Sequence, residues 1–223
     1  MLNGAILLLT GVPGSGKSWL LTRLAESLRA EGHLVARHYC YIAPGDLQRD
    51  ERITIDVLYG NLIAELVEAE PPLGRQQTPR YSAGPDELSQ LLTAAVQRES
   101  DRRVVLIVDG LDHVERVLPE AKGVHRFKAE LVHELATMPL PEGVCLVIGS
   151  QPGPHLAPLL ERTSPLNLSG WDPRQTRELA QRLGLLGKLR TLGFRHELKS
   201  FAEALHDRSE GNPLYITFRR TRR

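Results

Sequence analysis

The amino-acid sequence predicts an α/β fold, in which a parallel five-stranded β-sheet is flanked by helices and followed by a small helical subdomain. Short apolar runs recur at wide intervals, and the segments between them repeat leucine or isoleucine at helical spacing. This is the pattern of parallel strands joined by crossover helices. The chain has 223 residues, of which 41% are hydrophobic and 25% charged, so its size and composition suit one such domain with a small appendage.

The elements can be assigned in chain order. Five apolar runs are the predicted strands, at residues 5–10, 34–42, 104–109, 144–149 and, shortest, 165–168. Helices are predicted where apolar residues repeat every three or four positions, at residues 17–30, 53–69, 86–99 and 127–137. The segment 71–85 is rich in proline and is predicted to be a surface loop.

The character of the sequence changes at residue 170. Segments 172–183, 197–207 and 213–219 are helix-like, and no further strand is evident. We therefore predict two domains, an α/β domain over residues 1–169 and a helical lid subdomain over residues 170–223.

Charge and hydropathy point to no nucleic-acid or membrane partner. Lysine and arginine total 28 against 27 acidic residues, so no overall field attracts the chain to a polyanion. The first apolar run, residues 5–9, is far shorter than the roughly 20 residues that cross a bilayer, and no signal-peptide pattern follows it. We expect a cytoplasmic protein that binds neither membranes nor nucleic acid directly.

Residues 11–18, Gly-Val-Pro-Gly-Ser-Gly-Lys-Ser, match G-x-x-x-x-G-K-[ST] between a predicted strand and a predicted helix. The glycines, Gly11, Gly14 and Gly16, let the backbone curl so that its N–H groups converge on phosphate oxygens. Lys17 adds a cation that reaches the β- and γ-phosphates, and Ser18 offers a hydroxyl to Mg²⁺. The remaining predicted contacts are Val12, Pro13, Ser15 and Trp19. The motif predicts a nucleoside triphosphate site.

Two carboxylates follow the third predicted strand. Asp109 ends this strand, and in an open parallel sheet ligands bind at the carboxyl ends of strands, so Asp109 is a predicted Mg²⁺ ligand. Asp112 is the predicted group that polarises the attacking water, with Glu115 in reserve. The alternative for Asp112 is a turn residue that caps the next segment.

With these residues identified, the chain resembles the STAND class of P-loop ATPases, the NACHT and apoptotic or plant-resistance relatives that act as signalling switches. Four segments carry the resemblance: residues 11–18, Asp-Gly-Leu-Asp at 109–112, Ser-Gln-Pro-Gly at 150–153 and Gly-Asn-Pro-Leu at 211–214. The resemblance implies a P-loop NTPase fold with sheet order 5-1-4-3-2. It also implies ATP or ADP as the ligand, with Mg²⁺.

The resemblance assigns roles to two further positions. Pro213 is expected near the adenine base, and Gln151 occupies the position where the family commonly has an arginine that reads the γ-phosphate. Glutamine can hydrogen-bond a phosphate or position a water but supplies no charge, so slow hydrolysis is expected. The winged-helix module that follows in the family is not in this sequence, so other domains of a longer parent chain are expected partners. Nucleotide-dependent self-association is a further predicted interaction.

The sequence is compatible with three functions. The favoured one is a slowly hydrolysing regulatory ATPase, for which defence signalling is the family expectation. The second is a small P-loop kinase of a nucleotide or metabolite, whose phosphoryl clamp would draw on Arg174, Arg177, Arg182, Arg190 and Arg195. On an amphipathic helix such arginines more often form a solvated face. The third is an interaction module that holds nucleotide without turnover.

Overall fold

The computed structural model describes residues 4–43, 45–74, 84–99, 101–117, 125–191, 198–215 and 217. Within them the strands are β1 Ala5–Thr10, β2 Leu34–Tyr39, β3 Val104–Asp109, β4 Val144–Ser150 and β5 Leu166–Asn167. They form one five-stranded sheet in the order β2-β3-β4-β1-β5, which confirms the predicted order. The α/β class with a parallel sheet is confirmed as well.

The helices are α1 Lys17–Ala30, α2 Ile55–Ala69, α3 Pro71–Gly74, α4 Pro85–Arg98, α5 His113–Val117, α6 His125–Thr137, α7 Ala157–Leu160, α8 Pro173–Arg182, α9 Leu185–Thr191 and α10 Leu198–Ser209. A 3₁₀ turn, Pro154–Leu156, precedes α7. Residues 213–215 and 217 are also helical, and the rest of the predicted segment 213–219 lies outside the described residues. None of the described helices combines the length and apolar composition that a membrane span requires.

Strand β3 lies inside the sheet and explains why its sequence is an unbroken apolar run. All six of its residues are buried, since helices cover both faces of a parallel sheet. Leu106 and Val108 join the apolar cluster that includes Leu58 and Leu62 of α2 and Leu92 of α4. The intervening β3 residues alternate to the opposite face of the sheet and are buried there as well.

The strand register aligns the carboxyl ends of four strands. Asp109 of β3 is paired with Tyr39 of β2 and with Gly149 of β4, and Gly149 is paired with Leu9 of β1. The central position of β4 between β3 and β1 therefore brings residues that follow three different strands to one edge of the sheet.

The loop prediction for segment 71–85 is wrong at its beginning. Residues Pro71–Gly74 form helix α3, and Leu73 is completely buried in the main apolar cluster. Proline is tolerated in the first turn of a helix, so the prolines there do not prevent a turn that buries Leu73. Residues 75–83 lie outside the described part of the chain.

Several predicted boundaries also shift. Strand β2 ends at Tyr39 rather than at residue 42, although the N–H of the next residue, Cys40, still donates to the Asp109 carbonyl. Helices α5, α7 and α9 were not predicted, because segments of four to seven residues are too short for a helical repeat to be recognised. Cys40 and Cys145 are free thiols.

The chain divides into two compact units. The first comprises Met1–Thr10 and Ser18–Leu166, and the second comprises Gly11–Lys17 and Asn167–Arg223. The second unit thus combines the loop before α1 with the C-terminal helices α8, α9 and α10. In this unit α8 begins with a capping box, in which Asp172 accepts from the Gln175 N–H and Gln175 accepts from the Asp172 N–H.

Candidate functional site

The loop between β1 and α1 has the backbone form expected for anion binding. Gly14 and Gly16 have φ angles of 78° and 98°, a region that side chains rarely adopt. The Ser15 N–H donates to the Val12 carbonyl at 3.2 Å and closes a turn. The loop leads directly into α1, whose first N–H groups have no carbonyl partners within the helix and carry its positive dipole end.

Two polar side chains of this loop fit a phosphate group. Lys17 is only 9% exposed, and its ammonium donates to the Gly11 and Val12 carbonyls at 2.7 and 3.1 Å. The Ser15 hydroxyl is buried without a hydrogen-bond partner. A phosphate oxygen would accept from both groups, so the donor set suits a phosphate. Trp19 and Val12, predicted contact residues, are 69% and 52% exposed.

The outer side of the phosphate loop packs closely against the C-terminal part of its own unit. A Cβ at Gly11 would lie 2.9 Å from the Leu168 carbonyl oxygen, and one at Gly14 would lie 2.6 Å from Asn212 Oδ1. Asn212 Nδ2 donates to the Pro13 carbonyl at 2.8 Å. Pro213, the predicted adenine-site residue, directly follows this contact. No local pattern gives Asn212 a role of its own, although its place between Gly211 and Pro213 is a signal.

In the first unit Asp109 lies at the carboxyl end of strand β3, beside helix α1. It is buried, and a Cβ at Gly149 would lie 3.0 Å from Asp109 Oδ1 and 2.6 Å from Leu21 Cδ1. Leu21 is about one helical turn after Ser18, and the side chains of Asp109 and Leu21 both border the space at Gly149. Glycine at position 149 leaves the space that this carboxylate uses. A hydroxyl and a carboxylate are oxygen ligands of the kind that Mg²⁺ prefers.

The structure brings Asp112 and Gln151 together. Asp112 Oδ1 accepts from the Gln151 backbone N–H at 3.1 Å, and its Oδ2 accepts from Gln151 Nε2 at 2.8 Å. Arg116 Nη2 lies 3.5 Å from the same Oδ2. The predicted water-polarising group and the predicted sensor residue therefore form one hydrogen-bonded pair that joins the loops after β3 and β4. Their catalytic roles remain predictions.

A second set of contacts ties the same two loops. Ser150 Oγ lies 2.9 Å from His155 Nε2, His155 Nδ1 lies 3.3 Å from Glu115 Oε1, and the His155 N–H donates to that oxygen at 3.2 Å. The order Ser-His-Glu is that of a hydrolase triad. Ser150 is 0% exposed, however, so its hydroxyl is closed to a substrate and the three residues act as a clamp. No local pattern gives His155 or Ser150 a role of its own.

Asp109 and Asp112 influence the pKa values of neighbouring side chains. Burial raises the pKa of the Cys40 thiol, and the two carboxylates raise it further. Burial lowers the pKa of His113, which Asp112 opposes; the His113 ring stacks on Tyr41 with centroids 4.0 Å apart. Both effects place the two carboxylates close to the residues that follow β2.

The fold and the phosphate loop define the class of this protein: it is a nucleotide-binding P-loop domain of the STAND ATPase type. The chain belongs to the nephrocystin 3 N-terminal domain family, whose model matches residues 2–139. No curated protein matches the sequence.

Solved structures share the fold at low sequence identity. The ORC2 protein of Aeropyrum pernix in its ADP form is similar with a TM-score of 0.50 and 15% identity, over 96% of this chain and 54% of that chain. This chain therefore spans about half the length of that protein. A STAND protein with a tetratricopeptide repeat sensor from Pyrococcus horikoshii has a TM-score of 0.45 and 16% identity, over 96% and 27% of the two chains. Drosophila ORC bound to DNA has a TM-score of 0.45 and 16% identity, over 94% and 36%.

Proposed function

We propose that this domain binds ATP and ADP with Mg²⁺ and hydrolyses ATP slowly, as the regulatory switch of a longer STAND-type signalling protein. The phosphate loop carries the proposal: it combines two left-handed glycines, the Lys17 ammonium and a buried Ser15 hydroxyl without a partner. The ORC2 protein, described in an ADP form, is a precedent for adenine nucleotide in this fold.

The loop residues would act on the phosphates. The backbone N–H groups of residues 14–18 would donate to phosphate oxygens, and the Lys17 ammonium would exchange the Gly11 and Val12 carbonyls for the β- and γ-phosphates. A phosphate carries full negative charge where a carbonyl carries a dipole, so this exchange is favourable. Pro213 would border the adenine base.

Ser18 and Asp109 would hold the Mg²⁺ ion. Bound there, the ion would neutralise charge on the β- and γ-phosphates. The burial of Asp109 beside α1 supports this assignment.

The Asp112–Gln151 pair supports slow turnover. Both Asp112 oxygens accept hydrogen bonds from Gln151, so one lone pair of each oxygen is already engaged and fewer are open to a water. Gln151 adds no positive charge for the transition state, and charge is what an arginine contributes at this position. A change in the loops after β3 and β4 would alter this pair and would thereby set the rate.

The arginines invoked for a kinase are arranged differently from a clamp. Arg174, Arg177 and Arg182 are exposed, and Arg174 lies 3.4 Å from Glu178 one turn along the same helix. This arrangement is typical of a solvated helix face and favours the switch over the kinase. Arg190 is described only in its backbone, and Arg195 lies outside the described residues.

Calorimetric titration with ATP and ADP in Mg²⁺ tests the binding. Lys17→Ala should weaken ATP affinity at least tenfold, which corresponds to ~1.4 kcal/mol. Arg23→Ala is the matched control, since it removes a positive charge from the same helix at a side chain that is 63% exposed. Asp109→Asn should weaken binding in Mg²⁺ but not in EDTA. Unchanged affinity in Lys17→Ala would contradict the proposal.

Phosphate release under single-turnover conditions distinguishes the three functions. A rate below ~1 s⁻¹, the lower end of typical enzyme turnover, is expected for the switch. Tight binding with no release would favour the interaction module. Transfer of the phosphoryl group to an added acceptor would favour the kinase.

A further inference from the structure

Asn212 joins two elements of the second unit through one side chain. Its Nδ2 donates to the Pro13 carbonyl in the phosphate loop at 2.8 Å. Its Oδ1 accepts from the N–H groups of Leu214 and Tyr215, at 3.0 and 3.4 Å, and so caps the helical turn that follows. The two bonds to Asn212 Oδ1 orient its side-chain amide, and the amide nitrogen then binds the phosphate loop at Pro13.

The neighbouring backbone leaves this contact little freedom. A Cβ at Gly14 would lie 2.6 Å from Asn212 Oδ1 and 2.7 Å from its Nδ2, so loop and amide are in close contact. Gly211 has a φ of 70°, and a Cβ there would collide with the Trp171 carbonyl oxygen. The Trp171 N–H donates to the Gly211 carbonyl at 2.7 Å. The turn that carries Asn212 is therefore itself anchored within the unit.

We infer that Asn212 is a positioning residue for nucleotide binding, which holds the phosphate loop in its binding conformation through the Pro13 carbonyl. The inference rests on the proposed nucleotide site. A loop whose N–H groups converge without an anion is opposed by dipole repulsion and chain entropy. A restraint on Pro13 raises the fraction of molecules with a competent loop, and apparent affinity scales with that fraction.

Asn212→Ser separates the two roles of the side chain. Serine keeps an oxygen that can cap the helical turn but is too short to reach Pro13 with a donor. Asn212→Asp keeps the cap and the length of the side chain, loses the amide donor and adds a charge. Asp172→Ala is the matched control: it removes the capping box of α8 in the same unit and leaves Asn212 in place.

Two measurements are compared across these variants. Calorimetry should show ATP and ADP affinity reduced about fivefold in Asn212→Ser, equivalent to ~1 kcal/mol, and further in Asn212→Asp, while Asp172→Ala lowers only the melting temperature. Hydrogen exchange without nucleotide should be faster in Asn212→Ser at the amides of residues 11, 12 and 14–17, and unchanged at the capped turn.

The inference is overturned if Asn212→Ser matches the wild type in both affinity and loop exchange, because Asn212 would then act as a cap alone. Equal losses of affinity in Asn212→Ser and Asp172→Ala would also overturn it, since they would reflect general destabilisation. If the wild type binds no nucleotide, the proposed function fails, and the exchange measurement still decides whether Asn212 holds the loop. If Asn212→Ser does not fold, loop exchange in nucleotide-free Asn212→Asp provides the comparison, because the added charge of this variant would itself oppose the phosphates.

Discussion

Replacing Asp112 separates the two roles that the proposed mechanism gives to this carboxylate. One role is to hold Gln151, whose N–H and Nε2 donate to it at 3.1 and 2.8 Å. The other is to polarise water. Asp112→Ala removes both roles, whereas Asp112→Asn keeps most of the first. In the asparagine variant the amide of Gln151 can rotate, so that its oxygen accepts from the new amide nitrogen.

The cost of Asp112→Ala follows from the bonds that are lost. A hydrogen bond to a charged group contributes about 1.5–3 kcal/mol, and the Gln151 N–H loses one such bond. Gln151 Nε2 belongs to a half-buried residue and can turn to water, so it adds little. Arg116 is 50% exposed and adds less than about 1 kcal/mol. The total is about 1.5–4 kcal/mol, which for a chain of this size lowers the melting temperature by about 3–16 °C.

Thermal denaturation followed by circular dichroism measures this loss, and phosphate release measures turnover. Glu26→Ala removes a carboxylate that is 55% exposed and should leave the melting temperature nearly unchanged. Asp112→Asn should cost at most about 1 kcal/mol while lowering turnover by ~10²-fold or more, as expected for a general base. If Asp112→Ala melts at the same temperature as the wild type, the Asp112–Gln151 pair contributes nothing to stability. If Asp112→Asn retains full turnover, Asp112 does not polarise the water.

Two further substitutions test the sheet edge and the core. Gly149→Ala places a Cβ 3.0 Å from Asp109 Oδ1, so it should cost about 1–3 kcal/mol by overpacking and weaken Mg²⁺-dependent binding. In α9, a Cβ at Gly187 meets no described atom within 4 Å outside its own helix, so Gly187→Ala should be neutral or stabilising. If the two variants have the same nucleotide affinity and the same melting temperature, the Asp109 carboxylate does not use the space at Gly149. Burial lowers the pKa of His38 to about 4, so stability is fully present above the unfolded pKa of about 6.5 and falls by roughly 3 kcal/mol as pH drops to 4. His38→Gln should flatten the melting temperature against pH between 7 and 4, and an unchanged slope would disprove the account.

Local patterns determined the fold class and the phosphate loop from the sequence alone. The positions of Gly14, Gly16 and Lys17 specify a backbone form that depends on neighbours in the chain, so the loop can be recognised without tertiary information. Strand β3 could be bounded at both ends because an unbroken apolar run is itself the sign of burial on two faces. The sheet order came from the family resemblance, and the structure has the same order.

Only the tertiary structure decided which polar groups are partners. Asp112 and Gln151 are 39 residues apart, Glu115 and His155 are 40 apart, and Asn212 and Pro13 are 199 apart, so no local pattern connects them. The first two pairs meet because β3 and β4 are adjacent and end in register. The third meets because the C-terminal turn packs on the phosphate loop within one compact unit. Hydrogen bonds act over about 3 Å, whereas sequence patterns carry information over only a few helical turns or strand repeats. Contacts between distant segments are therefore seen only in the folded chain.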